Sequence, residues 1–209
     1  TGYSRNIWLN IVIMLLIILG GIGFLTWEDF YTNKFKFKRY RMQSKVILIT
    51  TAILIIAPAV FFFACDFGNL PAGKRLLASV FQSVTTRTAG FNTEDLSLMT
   101  EAGKAVMILL MLIGGSPSST AGGMKTTTFA VLILNALATF RSREDAGAFG
   151  RRFDGQVVKN AATIAMMYFM LFFFGGITIS VYEGLPLLTC LYEAASAVGT
   201  VGLTLGVTP

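Results

Sequence analysis

The sequence is 209 residues long, 54% hydrophobic and only 13% charged, with a formal net charge of +6 and no histidine. Ordinary soluble domains carry about 25% charged residues, so this composition excludes a water-soluble domain and points to a polytopic membrane protein. The missing histidine removes the commonest metal ligand and general base. Cys65 and Cys190 lie at the ends of apolar segments without paired spacing, so free buried thiols are expected.

In chain order, Ile7 to Leu25 reads as one spanning helix with Asn10 its only strongly polar residue, since about 20 apolar residues cross the hydrocarbon core. It leads into "KFKFKRYRMQSK", Lys34 to Lys45, which holds six basic residues and no acidic one. Arg141, Arg143, Arg151, Arg152 and Lys159 make a second basic cluster. A nucleic-acid patch is the competing reading of such runs. Between apolar spans, the positive-inside rule places both in the cytoplasm, where anionic headgroups add attraction. The first helix then runs from outside to inside. Nothing upstream of it resembles a charged signal-peptide start, so earlier spans are expected to precede this chain.

Val46 to Ala64 is a second span, with Pro58 expected to kink it. Leu76 to Thr86 is helix-compatible but, at about 1.5 Å per residue, only enters the bilayer. "RTAGFNTED" then returns the chain to water. From Ala105 to Phe140, apolar "AVMILLMLI" is followed by "GGSPSSTAGGMKTTT" and apolar "FAVLILNALATF". That pattern predicts a broken helix with a Gly/Ser/Thr loop at membrane depth, which requires protein packing or a wet cavity. Ala161 to Tyr182 is the next span, Leu185 to Val198 another short helix, and "GTVGLTLG" follows before an outside stop at Pro209.

The pattern is an internal repeat: span, short helix, Thr-x-Gly turn, span, then the same unit begun again 112 residues later. Thr88-Ala89-Gly90-Phe91-Asn92 matches Thr200-Val201-Gly202-Leu203-Thr204. An extended strand of backbone carbonyls replaces the water shell of a bare cation. Gly permits φ > 0, which lets successive carbonyls face one way, and Thr adds a hydroxyl. The short helix before each turn aims its negative end at a cavity below. Oxygen-only ligands without a carboxylate suit K⁺ or Na⁺ rather than Ca²⁺ or Mg²⁺. The plain alternative is two loops with Gly at tight turns.

Three motifs, "FQSVTTRTAGFNTEDL", "IGGSPSSTAGGMKTTTFAVL" and "SAVGTVGLTLGVTP", resemble the membrane subunit of the Trk/Ktr/HKT superfamily of potassium transporters, closest to the KtrB-type subunit of bacterial Ktr systems. The resemblance covers essentially the whole chain. It implies an all-α polytopic membrane protein built of helix–re-entrant pore loop–helix repeats around one pore, in a bacterial cell membrane. Residues 1–45 would be the last helix of repeat two and a basic cytoplasmic loop. Residues 46–156 would be repeat three, and 157–209 the start of repeat four; the remaining repeats and the final helix would lie outside this chain. The function implied is K⁺ uptake rather than enzymatic catalysis, with K⁺ the transported ion, Na⁺ a candidate coupling ion and no cofactor in this chain. The filter carries over onto Thr88, Ala89, Gly90, Phe91, Asn92, Thr200, Val201, Gly202 and Leu203. Relative to potassium-channel TVGYG, Phe91 and Leu203 replace Tyr, while Asn92 and Thr204 replace the last Gly, so looser selectivity is expected. The implied gate is the small-residue loop with Gly114, Gly115, Ser116, Ser118, Ser119, Thr120, Gly122, Gly123 and Lys125. A homodimer and a cytoplasmic RCK-type nucleotide-binding regulatory ring are the implied partners, with no nucleic acid.

Lys125 is the one basic residue deep in an apolar region, a functional suspect that could equally pair with a carbonyl. Arg87, inside the first turn, is expected to be tied to Glu193 or to carbonyls behind the filter. Glu94, Asp95 and Glu101 are either cation-enriching or simply solvated. Gly20-Gly21-Gly23 and Gly175-Gly176 are expected to admit close helices. Two rival functions remain. One is a two-repeat cation channel that dimerises. The other is a membrane enzyme whose "STAGGMKT" holds phosphate, although Met124 stands where a P-loop needs Gly.

Overall fold

A computed structural model describes residues 6–34, 36–143 and 145–207. The two chain ends, on which the expected outside start and outside stop rest, lie outside the described residues. Among the described residues eight α-helices follow one another: α1 Ile7–Ile22, α2 Phe24–Asn33, α3 Met42–Cys65, α4 Ala72–Thr85, α5 Glu101–Leu112, α6 Thr126–Phe140, α7 Gly155–Glu183 and α8 Leu187–Val198. Between α6 and α7 sits a small antiparallel hairpin pairing β1, Gly147–Ala148, with β2, Arg151–Arg152. The all-α class expected from composition holds. By length and composition, α3 and α7 are each able to cross a membrane alone.

Two helical hairpins carry the architecture. In the first, α4 doubles back along α3. Arg75 near the start of α4 donates to the carbonyl of Phe63 (2.6 Å), and Ser83 near its end donates to that of Ile55 (2.7 Å). α4 therefore begins beside the C-terminal end of α3 and stops near its middle. The second hairpin repeats this. Ser180 on α7 donates to Leu185 O (2.9 Å), and Gly176 and Gly175 receive Leu191 and Ala194 of α8. A Cβ at Gly176 would crowd Leu191, which is the close approach expected there. In both hairpins a half-length helix ends partway along its partner and delivers a Thr-x-Gly turn.

Pro58 does not break α3, which continues to Cys65. Proline leaves the carbonyl four residues back without its donor. Here that carbonyl belongs to Leu54, and Ser83 Oγ lies 3.3 Å from it while bonding Ile55. The polar face of α4 thus completes the backbone of α3.

After the first turn the chain climbs back to the end of α3. Asp66 Oδ1 accepts from the backbone N–H (2.9 Å) and hydroxyl (2.7 Å) of Thr100, which itself caps α5. α5 then descends and meets α8, with Tyr192 OH and Gln82 Nε2 both directed at the sulfur of Met107. Met107 is fully buried. Both half-length helices therefore converge on α5, and the main apolar core forms around Phe62, Met107, Met111, Tyr192 and Leu203.

The first span departs from expectation. Its helix breaks at Gly23 and turns by 92° into α2. Gly23 has φ +89° and ψ 144°, a conformation that side chains resist. A Cβ there would overlap the carbonyl oxygen of Pro117. The break exists because the 113–125 loop docks on it. α2 is then anchored to the start of α3: buried Asp29 accepts from Ser44 Oγ (2.6 Å) and Arg41 N (3.0 Å), placing a carboxylate at a helix N-terminus. Cys190 is buried as expected, but Cys65 is exposed on the outer face of α3.

Candidate functional site: two facing turns and the loop beneath them

The two turns share one backbone pattern. Thr88 and Thr200 lie at φ 61° and 56°, and Gly90 and Gly202 at φ 69° and 89°. The glycine conformations match the sequence expectation. The threonines do not, because β-branched residues avoid the left-handed region. Strain of this kind persists only where the surroundings impose it.

Each turn is held by the helix that delivers it, through different chemistry. In the first, the carbonyl of Thr85 accepts from Ala89 N (3.2 Å), and Thr85 Oγ1 donates to Phe91 O (2.6 Å). In the second, the carbonyl of Ser196 accepts from Val201 N (2.8 Å), and its hydroxyl oxygen accepts from Gly202 N (3.1 Å). Glu193 Oε1 then accepts from Thr204 Oγ1 and Leu205 N, both at 2.7 Å. Val201 and Leu203 bury their side chains, while Thr200, Gly202 and Thr204 are exposed. The strand therefore packs one side and opens its backbone on the other, along a groove of about 470 Å³. Among the described residues, the carbonyls of Thr88, Ala89, Thr200, Val201 and Leu203 accept no hydrogen bond. Phe91 O is the exception, turned toward Thr85.

The turns face one another. A Cβ on Gly90 would overlap Val201 O and approach Gly202. Directly adjoining is the loop between α5 and α6. Its base is closed by Gly114 N donating to Met124 O (2.8 Å) and Thr126 N to Gly115 O (3.0 Å). A Cβ on Gly114 would overlap Gly122 O, so only glycine permits this crossing of strands. Buried Ser116 shares a hydrogen bond with Thr126 (3.1 Å), and Ser119 Oγ accepts from Ala121 N. Two neighbours then fix the loop. Ser116 N donates to Gly21 O (2.9 Å) and Phe24 N to Ser118 O (3.0 Å), while Thr120 Oγ1 sits beside Gly20. Gly20-Gly21-Gly23 thus admit a loop rather than the second helix expected. On the other side, Gly122 lies against the side chain of Thr200 and Gly123 near Gly199 O.

Lys125 Nζ donates to Ala121 O (2.6 Å), so its charge closes the loop on itself. Arg87 is buried at 5% exposure, yet its Nε and Nη2 find no hydrogen-bond partner among the described residues. The expected tie to Glu193 is not made; that carboxylate braces Thr204 and Leu205 instead. Asp95 also differs from a free mouth charge. Hydrogen bonds from the Ser97 hydroxyl and N–H, together with Lys104, hold its carboxyl below the usual range and cap a short turn. Sequence reasoning missed Thr85, Ser196 and the bracing role of Glu193. The signal was available: polar residues on the buried face of two otherwise apolar short helices.

The family model for TrkH, described as cation transport protein, matches residues 1–209. The chain belongs to the TrkH cation transport family. It is 38% identical to the potassium/sodium uptake protein NtpJ of Enterococcus hirae, covering 99% of this chain and 48% of that protein. It is 35% identical to the Ktr system potassium uptake protein B of Bacillus subtilis, covering 100% of this chain and 48% of that one. The chain therefore spans about half the length of these TrkH-family relatives. The crystal structure of the potassium transporter TrkH from Vibrio parahaemolyticus superposes with a TM-score of 0.78 over 99% of this chain and 46% of that one, at 18% identity, so the fold is shared.

Proposed function

We propose that this chain is part of the ion-conducting subunit of a potassium uptake system. In this proposal residues 88–92 and 200–203 form two quadrants of a carbonyl filter, and the loop from Gly114 to Lys125 is its gate. The observation that carries it is the paired backbone geometry of Thr88/Gly90 and Thr200/Gly202. Two turns 112 residues apart take the same sterically costly shape, face each other, and leave the carbonyls of Thr88, Ala89, Thr200, Val201 and Leu203 without hydrogen bonds among the described residues. Tight turns serving only to reverse the chain need no such symmetry. Unbonded carbonyls replace a cation's hydration shell at small cost. The names of the relatives, a potassium/sodium and a potassium uptake protein, agree with K⁺ as cargo. Na⁺ is then either a competitor or a coupling ion.

The other filter quadrants come from the part of the full-length protein that the relatives have and this chain does not span. That length favours one chain around one pore over a dimer of two-repeat chains. In the membrane, the ends of α2 and α6 face the cytoplasm, because Lys34–Lys45 and Arg141–Arg152 lie there. The same basic surfaces would meet an RCK-type nucleotide-binding ring beneath a homodimer in a bacterial cell membrane. The relatives' designation as Ktr system proteins fits a multi-component assembly.

The test is flux into liposomes holding the full-length protein, with K⁺ and Na⁺ gradients varied separately. K⁺-dependent flux that rises on deletion of residues 115–123 is expected. Flux indifferent to K⁺, or a deletion variant with normal assembly and unchanged flux, overturns the filter or the gate respectively.

A further inference from the structure

We propose that a groove between α3 and α6 binds one acyl chain of an anionic phospholipid, whose headgroup sits on Lys45, Arg141 and Arg151. The groove has a volume of about 420 Å³, within the usual range of ligand sites. Its floor is Val46, Leu54 and Ala130; its walls are exposed Ile49, Ile53 and Ile133. Leu137 and Phe149 close the end nearest the hairpin.

Shape alone would describe any lipid-facing crevice. Charge decides the occupant, because three separate elements bring a cation to the same end. Lys45 stands one turn before Ile49 on α3, on the same helical face. Its Nζ lies 5.6 Å from the ring of Phe149, which lines the groove, and donates to Lys38 O (2.8 Å). Arg141 follows Leu137 by one turn at the end of α6. Arg151 pairs across the hairpin with Ala148, another lining residue, and cross-strand partners share a face. The nearby carboxylate of Asp145 is already engaged by Arg152 at 2.5 Å. Arg141 and Arg151 make no salt bridge among the described residues and are exposed. No charged residue lines the groove itself, and Lys125, one turn before Phe129 at the opposite end, is engaged by Ala121 O.

Depth points the same way. From Val46 to Ile53 the helix rises about 11 Å at 1.5 Å per residue. That is about two-thirds of one leaflet of a hydrocarbon core about 30 Å thick. An apolar slot of that depth, crowned by cations, fits a phosphodiester headgroup with the upper part of its tail. A soluble anion would leave the slot empty, and an uncharged lipid would leave the cations unused. Only the choice of leaflet rests on the proposed topology; the lipid site does not depend on the filter assignment.

The experiment uses full-length protein free of tryptophan except for Ile133→Trp, in vesicles of phosphatidylcholine mixed with brominated phosphatidylglycerol or brominated phosphatidylcholine. Quenching should give a several-fold higher relative association for phosphatidylglycerol, and K45Q/R141Q/R151Q should abolish that preference. Equal quenching by both lipids means an unselective lipid surface, and absent quenching means that the rest of the protein covers the groove; either overturns the proposal. If Ile133→Trp fails to assemble, native mass spectrometry of the otherwise unaltered protein, with and without K45Q/R141Q/R151Q, reads retained phosphatidylglycerol directly. Retention unchanged by the triple substitution has the same overturning force.

Discussion

Gly90 lies directly against the carbonyl oxygen of Val201, so that one turn's glycine is the wall for the other turn's backbone. Gly202, at the equivalent place in the second turn, has nothing within contact distance of a Cβ. The two glycines share a left-handed backbone but not a neighbourhood.

Gly202→Ser therefore meets only conformational strain, roughly 1–2 kcal/mol for a side chain in the left-handed region. It is expected to assemble and to lose K⁺ over Na⁺ discrimination several-fold, since 1.4 kcal/mol is a factor of about 10. Gly90→Ser meets the same strain and a backbone overlap, so it should lower assembly as well. Uptake of K⁺ and Na⁺ per assembled protein distinguishes them. Equal assembly and unaltered selectivity in both variants would remove these turns from the ion path.

Gly122 is wedged beside Thr200, and an added Cβ would overlap the threonine hydroxyl. Gly122→Ala should cut K⁺ flux several-fold by displacing Thr200. Combined with Thr200→Ala, which removes the hydroxyl, part of the flux should return. Residues in contact show coupling of about 0.5–3 kcal/mol in such cycles. Strictly additive effects would mean that the loop does not act through Thr200.

At the α1–α2 break, Gly23→Ala places a methyl group on the Pro117 carbonyl and forces φ +89° on a chiral residue. The loop should lift from its seat. Hydrogen exchange at residues 115–119 is expected to quicken markedly, with higher K⁺ leak in the absence of any regulatory partner. Unchanged exchange would show that the bend does not restrain the loop.

Ser83 and Pro58 test the bond between the two helices of the first hairpin. Ser83→Ala leaves carbonyls of α3 without a donor and should destabilise the protein by about 1 kcal/mol, a typical value for such bonds within membranes. Pro58→Ala supplies Leu54 O with a backbone donor, so Ser83→Ala should cost less in that background. Melting midpoints in detergent give the comparison. An identical cost in both backgrounds would assign the effect of Ser83 to packing.

Removing the charge of Lys125 tests the loop's internal closure. A hydrogen bond from a charged group contributes about 1.5–3 kcal/mol. Lys125→Met, which keeps the stem length and loses the donor to Ala121 O, should raise flux through a loosened loop. Lys125→Arg should remain close to the parent. If both variants behave alike, neither the charge of Lys125 nor its bond to Ala121 O restrains the loop.

Much of this was legible in the chain. The repeat is visible because each Thr-x-Gly turn follows an apolar run too short to span, and the loop at Gly114–Gly123 because small polar residues cannot continue a lipid-facing helix. The break at Gly23 was not legible. In Ile7 to Leu25 Asn10 is the only strongly polar residue and the glycines at 20, 21 and 23 suit close helix packing equally well, while the contacts at the bend, with Pro117 and Ser118, lie about ninety residues away. The left-handed Thr88 and Thr200 were also hidden, since local propensity argues against them and only tertiary bracing imposes them. Arg87 invited an acid partner on charge alone. The buried acid of the second hairpin, Glu193, is committed to Thr204 and to the backbone of Leu205.

That commitment has a further consequence. Thr85 and Phe91 brace one turn, while Ser196, Glu193 and Thr204 brace the other, yet both backbones arrive at one shape. One backbone shape is thus held by two unrelated sets of side chains. The residues that brace the turn are interchangeable, provided the position of its oxygens is kept. What the two turns have in common is an arrangement of carbonyls, not a set of residues.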